Sequence, residues 1–357
     1  MYFRSSIQQA EQTIYIMTLK RALLSTWSMA FLLVLAFAAC KNESPQQDPG
    51  KTTPPTPKKT YPVPAFNGDS AYVYVAKQVA FGSRVPGSAA HKACKEWLVS
   101  KFEGFEWNVI QQDFTANVYT GEKLPSTNII GQYNPNAKKR IVLAAHWDSR
   151  HVADSPLSED REEEPILGAD DGGSGVGILL EVARQLQSNP IEDADLGVDI
   201  VLFDAEDYGE SGGSENTWCL GSQYWSRNLH TSNYKPKFGI LLDMVGSQMP
   251  RFTKDRVSMT FAPQVMNKVW KLAQAMGYGN LFVDIESGPM IDDHYFVNQL
   301  AKIPMIDIIN KPAGSQTGFG DYWHTHDDDM DVISQRSLKV VGQVLLAVLY
   351  REASGTF

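Results

Sequence analysis

Cysteine is scarce in this chain: three in 357 residues, at positions 40, 94 and 219. If Cys40 is taken up by other chemistry, at most one disulfide remains for the rest of the protein. Cys94 and Cys219 therefore stand either as that pair or as two buried thiols, and their separation in sequence does not choose between them. Positive charge is scarce as well. The formal net charge is -9, and residues 1–60 carry 7 Lys/Arg against 3 Asp/Glu, leaving 25 against 38 for the rest. The body is thus about -13, which excludes nucleic-acid binding by phosphate neutralisation and favours cationic partners or divalent metal. No internal repeat is visible. Disorder is excluded by an apolar fraction of 43% with 11% aromatics, enough for a buried core.

What is present begins with a processing signal. Lys20-Arg21 precede an apolar run from Ala22 to Ala39, which ends in Phe37-Ala38-Ala39-Cys40. Small residues directly before a Cys resemble a bacterial lipoprotein box, which implies cleavage before Cys40 and acylation of that residue. Met17 is an alternative start that brings the basic pair close to the N-terminus. A plain cleaved signal and a retained membrane helix are the competing readings. The run is 18 residues long and contains Ser25, Thr26 and Ser28, at the short edge of what spans a bilayer. Residues 41–60 are rich in Pro, Thr and Lys and read as a semi-extended tether. The expectation is a signal segment over 1–39, a tether over 40–60 and a catalytic domain over 61–357. The product would be exported and lipid-anchored, facing the periplasm or cell surface of a Gram-negative bacterium.

From Tyr61 onward strand-like and helix-like segments alternate. Helices are expected over Ala71–Val79, Ala89–Lys101, Gly175–Gln187, Gln264–Met276 and Ser337–Tyr350. Strands are expected over Ser126–Tyr133, Arg140–Ala145, Val198–Phe203, Phe238–Leu242 and Ile303–Ile309. The last four are short, mostly apolar runs, the kind that lie in a sheet covered on both faces. The alternation predicts a single α/β domain with a central, mostly parallel twisted sheet flanked by helices. Such sheets carry their sites beyond the carboxyl ends of the strands. There the sequence places His146-Trp147-Asp148, Asp204-Ala205-Glu206-Asp207 and Asp243, with Asp292-Asp293-His294 ahead of the last strand.

Each group has a bland reading. His146 and Asp148 share one side of an extended chain and could meet a metal or each other. The loop Gly168-Ala169-Asp170-Asp171-Gly172-Gly173-Ser174-Gly175 could merely cap a helix, yet two adjacent carboxylates among four glycines exceed what a cap needs. Of the neighbours Glu206 and Asp207, one can bind metal while the other faces substrate as a general base. Trp323-His324-Thr325-His326 is harder to dismiss than the acids after it, Asp327–Asp329, which read as surface charge. His91, His151 and His230 read as surface or packing residues.

Taken in order, AHWDS, GADDGGSG, FDAED, GSQYWS, LLDMVG, DDHYF and YWHT resemble the zinc aminopeptidase-like fold. Within it they look most like animal-type glutaminyl cyclases of bacterial origin, over about Ala71 to Val348. The resemblance implies one zinc on Asp171, Asp207 and His324, with a fourth position open. It implies Glu206 as general acid/base, with Asp243 and Asp292 hydrogen-bonded around it. It implies substrate contacts from Trp323, Phe319 and His294, and Trp218 is a guess for the loop after Asp207. Two departures stand out: Asp207 is Glu in the animal enzymes, and Ile291 replaces a Gln.

The reaction so implied closes an N-terminal Gln of a peptide into pyroglutamate with release of ammonia, by a chain expected to be a monomer. The rival on the same fold is a two-zinc aminopeptidase, for which His146, Asp171 and Asp243 would form a second metal site. Gly172 after Asp171, Trp323 before His324, and Asp292-Asp293 all weigh against that rival, which usually has Asn, Tyr and Ser-Asp there. A catalytically dead binding module would have lost Glu206 or a ligand, and none is lost.

Overall fold

A computed structural model describes residues 59–357. The signal segment, Cys40 and all but the last two residues of the tether lie outside the described residues. The main sheet has six strands in the order β1-β2-β4-β3-β5-β8. These are β1 (Asn108–Asn117), β2 (Lys123–Tyr133), β3 (Lys139–His146), β4 (Leu196–Phe203), β5 (Gly239–Asp243) and β8 (Met305–Ile309). The pairs β3/β4, β3/β5 and β5/β8 are parallel. The β1/β2 hairpin and its junction with β4 are antiparallel. The sheet is thus mostly parallel with an antiparallel flank. That flank includes β1, which the sequence reading did not assign. Its residues NVIQQDFTAN are mostly polar and half-exposed because β1 is an edge strand, so the apolar signal is missing. A second sheet pairs β6 (Phe252–Lys254) with β7 (Phe282–Glu286).

The four apolar runs are buried on both faces, and their side chains alternate between two clusters. Ile141, Leu143 and Ala145 of β3, with Val198, Ile200 and Leu202 of β4, pack into the larger cluster under the helices. Val142, Ala144, Val201 and Phe203 point the other way. The helices are α1 (Gly68–Val79), α2 (Ala89–Gly104), α3 (Gly173–Ser188), α4 (Leu220–Arg227), α5 (Arg256–Phe261), α6 (Pro263–Ala275), α7 (Asp293–Phe296) and α8 (Gln335–Ser354). The long ones start and stop as sequence rules require: Asn67 accepts from the Asp69 and Ser70 N–H groups, and α8 ends at Gly355 with φ +69°. Among the described residues no helix is long and apolar enough to cross a membrane. Cys94 and Cys219 are both buried free thiols, so the pairing left open by the sequence is not made. Burial pushes the Cys94 thiol up to about 12, which leaves it inert.

Because β3, β4 and β5 run parallel, their carboxyl ends share one rim. His146 is the last residue of β3 and Asp243 the last of β5, while Asp204–Asp207 follow β4 directly. The backbone at this rim is strained. Ala205, Cys219, Met244 and His324 all have φ between +45° and +56°, which non-glycine residues rarely adopt. Such strain gathers where surrounding structure over-determines a turn.

Candidate active site

A cavity of about 220 Å³ opens at this rim. That is below the ~300–1,000 Å³ of drug-sized pockets, so it fits about one residue rather than a length of peptide. Its walls include Asp171, Glu206, Asp207, Asp243, Asp292 and His324 together with Trp218, Phe319 and Trp323.

Two sets of donors meet at Asp171. In the first, Asp171, Asp207 and His324 have ligand atoms all within 4.8 Å of one another. His324 Nε2 lies 3.1 Å from Asp207 Oδ1 and 3.8 Å from Asp171 Oδ2. Its other nitrogen, Nδ1, is 2.9 Å from Asp154 Oδ1. Asp154 is held in turn by the buried Arg150 at 2.5 and 3.1 Å. Arg150 also donates to the carbonyls of Asp207 and Gly209 and stacks 4.6 Å from the Trp218 ring. In the second set, His146 Nε2 is 3.0 Å from Asp171 Oδ1 and 3.3 Å from Asp243 Oδ1. His146 lies behind these carboxylates and does not line the cavity.

The first set fits zinc by its chemistry. It offers two carboxylates and an imidazole, and Asp207 Oδ2 is buried without a hydrogen-bond partner. The second nitrogen of His324 is committed to a carboxylate, the usual bracing of a zinc-bound His. Metal-free electrostatics agree. Burial would lower the His324 pKa, but the Asp207 charge and the Asp154 hydrogen bond raise it to about 9. A positive charge is wanted at that point, and a proton supplies it when no metal does.

The loop carrying Asp171 is pinned from a distance. Asp328, expected at the surface, is fully buried, and its two carboxylate oxygens accept the Asp170 and Asp171 N–H groups at 2.7 and 3.1 Å. A run of three acids looks solvated in sequence, and only the fold reveals that the middle one spans the loop; Asp327 remains exposed. Asp170 in turn accepts the Gly246 N–H and the Tyr322 hydroxyl. Gly172 has φ +83°, and a Cβ there would collide with the Asp148 carbonyl and come within 3.0 Å of His146 Cε1. Asp148 is no metal ligand. Its oxygens accept the Glu206 and Asp207 N–H groups, each at 3.1 Å, and so fix the strand-end pair.

Glu206 is raised well above the usual carboxylate range. Burial leads, and the charges of Asp207, Asp292 and Asp293 add to it against the pull of His146. Like-charge repulsion is therefore the lesser cause. The Cys219 thiol donates to Glu206 Oε1 at 3.0 Å, and the Cys219 N–H to the Glu206 carbonyl at 2.9 Å. Asp243 is pushed up to about 8, by burial first and by Asp171 and Asp292 next.

The aromatic wall is continuous. Phe319 stacks on Trp323 at 4.8 Å, Trp323 on the His324 ring at 3.7 Å, and Trp218 lies near-parallel to that ring at 6.1 Å. Trp218 lies flat on Gly209, where any Cβ would collide with the indole. His294 is different: it is fully buried, 3.3 Å from Asp255 and 4.0 Å from Asp307, and does not reach the cavity. The substrate contact expected of it is corrected to a packing position behind Asp292. Arg150 and Asp154 are site residues that sequence reading missed, and Cys219 was read only as a thiol or disulfide partner. Arg150 continues the His146, Asp148 alternation and was legible in principle; Asp154 joins His324 across 170 positions and carries no local signal.

A model of peptidase family M28 matches residues 128–349. The chain belongs to that family of α/β zinc-peptidase-like proteins. Within it, a Bacteroides thetaiotaomicron glutaminyl cyclase solved with N-acetylhistamine is 49% identical, covering 81% of this chain and 99% of its own with a TM-score of 0.78. A structure described as a leucine aminopeptidase precursor from the same species is 48% identical over 81% and 99%, at 0.77. The glutaminyl-peptide cyclotransferase of Drosophila melanogaster is 27% identical over 70% of this chain and 72% of its own.

Proposed function

We propose that this chain is a glutaminyl-peptide cyclotransferase, converting the N-terminal Gln of peptides and proteins to pyroglutamate. The observation that carries the reading is a residue-sized cavity holding one braced zinc-donor set, a raised-pKa carboxylate and an aromatic wall. Asp171, Asp207 and His324 would hold the zinc. When bound it would polarise the γ-carboxamide carbonyl and favour the negative charge that develops on its oxygen.

Glu206 takes a proton from the attacking α-amine and returns it to the departing NH₂. A bond forms between the amine nitrogen and Cδ, the Cδ–NH₂ bond breaks, and ammonia leaves. Serving as base and then acid requires a pKa near neutrality, which burial supplies. The thiol of Cys219 occupies one carboxylate oxygen and leaves the other for the amine. Asp292 lines the same cavity, and Asp243 ties His146 to the carboxylate cluster. Trp323, Phe319 and Trp218 wall the substrate and exclude water. The nucleophile is already tethered to its target, so proximity supplies much of the rate.

The other reading, a two-zinc aminopeptidase, is favoured by one observation: His146, Asp171 and Asp243 also bring ligand atoms within 4.8 Å. Residues 41–357 with zinc, incubated with one peptide beginning in Gln and one in Leu, separate the two by mass spectrometry. Loss of one ammonia from the Gln peptide with the Leu peptide intact supports the cyclase; release of free Leu overturns it.

Export and anchoring belong to the same proposal. Residues 1–39 would be the signal, Cys40 the acylated residue and 40–60 the tether, supported by the basic pair, the apolar run and the small residues before Cys40. One copy supplies every proposed site residue, which supports a monomer.

A further inference from the structure

The end of the sheet opposite the cavity carries the reverse charge. A groove there is lined by Lys59, Lys138, Lys139, Lys235, Lys237 and Glu352. All five lysines are exposed. Arg140 also reaches the groove, but its guanidinium is spent on the buried Asp199. Lys237 is paired with Glu352, and Lys138, Lys139 and Lys235 add three exposed positive charges on a body that is otherwise acidic. Glu192 and Asp195 stand on the adjoining turn and do not line the groove; Asp195 accepts the Lys138 N–H at 3.0 Å.

The position matters as much as the sign. Lys139 is the first residue of β3, and His146, at the site, is the last. Seven steps of ~3.3 Å put the two rims roughly 23 Å apart. The chain also enters the described body here: Lys59 lines the groove, and the Tyr61 N–H donates to Ser354 Oγ at 2.9 Å near the end of α8.

From this placement we propose that the lysine rim is a docking surface for anionic phospholipid headgroups, and that docking turns the cavity mouth away from the bilayer. Lysines within a Debye length of an anionic leaflet, ~10 Å at 0.1 M salt, feel its negative potential. The carboxylate-rich rim stands about two Debye lengths further out, where its repulsion is screened. A tether of the 40–60 composition would permit many orientations of the body, so charge asymmetry would select one. The occupant is the membrane to which an acylated Cys40 would hold the chain. The inference therefore rests on the anchoring proposed above.

The test uses residues 59–357, without any lipid on the chain. Residues 59–357 lie within one compact unit, and a solved relative matches 81% of this chain with 99% of its own. The protein is sedimented with vesicles of phosphatidylcholine alone, or of phosphatidylcholine mixed with phosphatidylglycerol. The expected result is about tenfold more binding to the anionic vesicles, falling as salt rises. The triple variant K138E/K139E/K235E loses that preference, and vesicle-bound wild type still turns over a Gln peptide within about twofold of free enzyme. Equal binding to both vesicles overturns the proposal. So does anionic binding that the triple variant retains, or binding to a soluble acidic peptide with none to vesicles. Because no lipid is attached, failure here is separate from failure of anchoring at Cys40. Turnover without vesicles reports separately on the cyclase reading.

Discussion

The two sides of Asp171 hold the same kinds of donor and differ in how those donors are braced. On one side, His324 has its second nitrogen on Asp154 at 2.9 Å, and Asp154 is clamped by Arg150. Despite burial, those two partners hold the Asp154 carboxyl well below its usual range, so it stays an anion. On the other side, His146 Nδ1 is 3.5 Å from Asp148, whose oxygens already serve two peptide N–H groups. Donor inventory alone would permit a metal on each side. A buried His that must present a neutral, oriented nitrogen needs a strong acceptor behind it, and His324 has the closer one, at 2.9 Å against 3.5 Å for His146. The comparison teaches that metal number is read from the supporting layer, not from the ligands.

The sharpest way to break the comparison is on activity. Glu206→Gln is expected to lower kcat by ~10³-fold, within the 10²–10⁴ range for a general acid/base, while bound zinc is retained. Zinc content by atomic absorption then tests the two sides directly. His324→Ala should lose the metal, whereas His146→Ala should keep one equivalent; a wild-type protein with two equivalents would sink the asymmetry. A smaller effect is expected behind His324. Asp154→Asn should weaken zinc binding by ~10–100-fold in a chelator competition, and Asp148→Asn should act on kcat rather than on zinc affinity.

Cys219→Ala should lower kcat by about tenfold with KM nearly unchanged, since one hydrogen bond to a charged group is worth ~1.5–3 kcal/mol at most. Cys219→Ser should restore most of it, and an equal loss in both variants would refute the role of the donor.

A separate effect is expected on stability against pH. In the metal-free protein His324 is raised from 6.5 to about 9. A group raised on folding stabilises fully below its unfolded pKa and loses that contribution as pH climbs through its folded one. Metal-free protein should therefore lose on the order of 3 kcal/mol between pH 6.5 and 9. Asp243, raised to about 8, works in the same direction. Zinc replaces the proton on His324, so the holoprotein should show a flatter Tm over that window. Parallel Tm curves for the two forms would contradict the assignment of His324.

Much of this was legible from residues alone. The short, mostly apolar runs RIVLAA, VDIVLF and IPMIDII read as strands covered on both faces, and acids directly after strands pointed to the carboxyl rim. β1 escaped because an edge strand has no apolar run to read. His294 was misjudged because its neighbour Asp292 faces the cavity while His294, two residues on in α7, turns into the core.

Local order along the chain was sufficient for the strand-and-helix alternation, for the rim on which chemistry gathers, and for the identity of most cavity-lining side chains. These follow from hydrophobic periodicity and from parallel strands sharing a direction. Folding alone settled three other things: that Asp328 is buried under the Asp171 loop, that Arg150 and Asp154 stand behind His324, and that five lysines from three separate segments form one rim. Each joins residues far apart in the chain through burial and hydrogen bonding. No spacing rule encodes which distant partner a buried polar group will find.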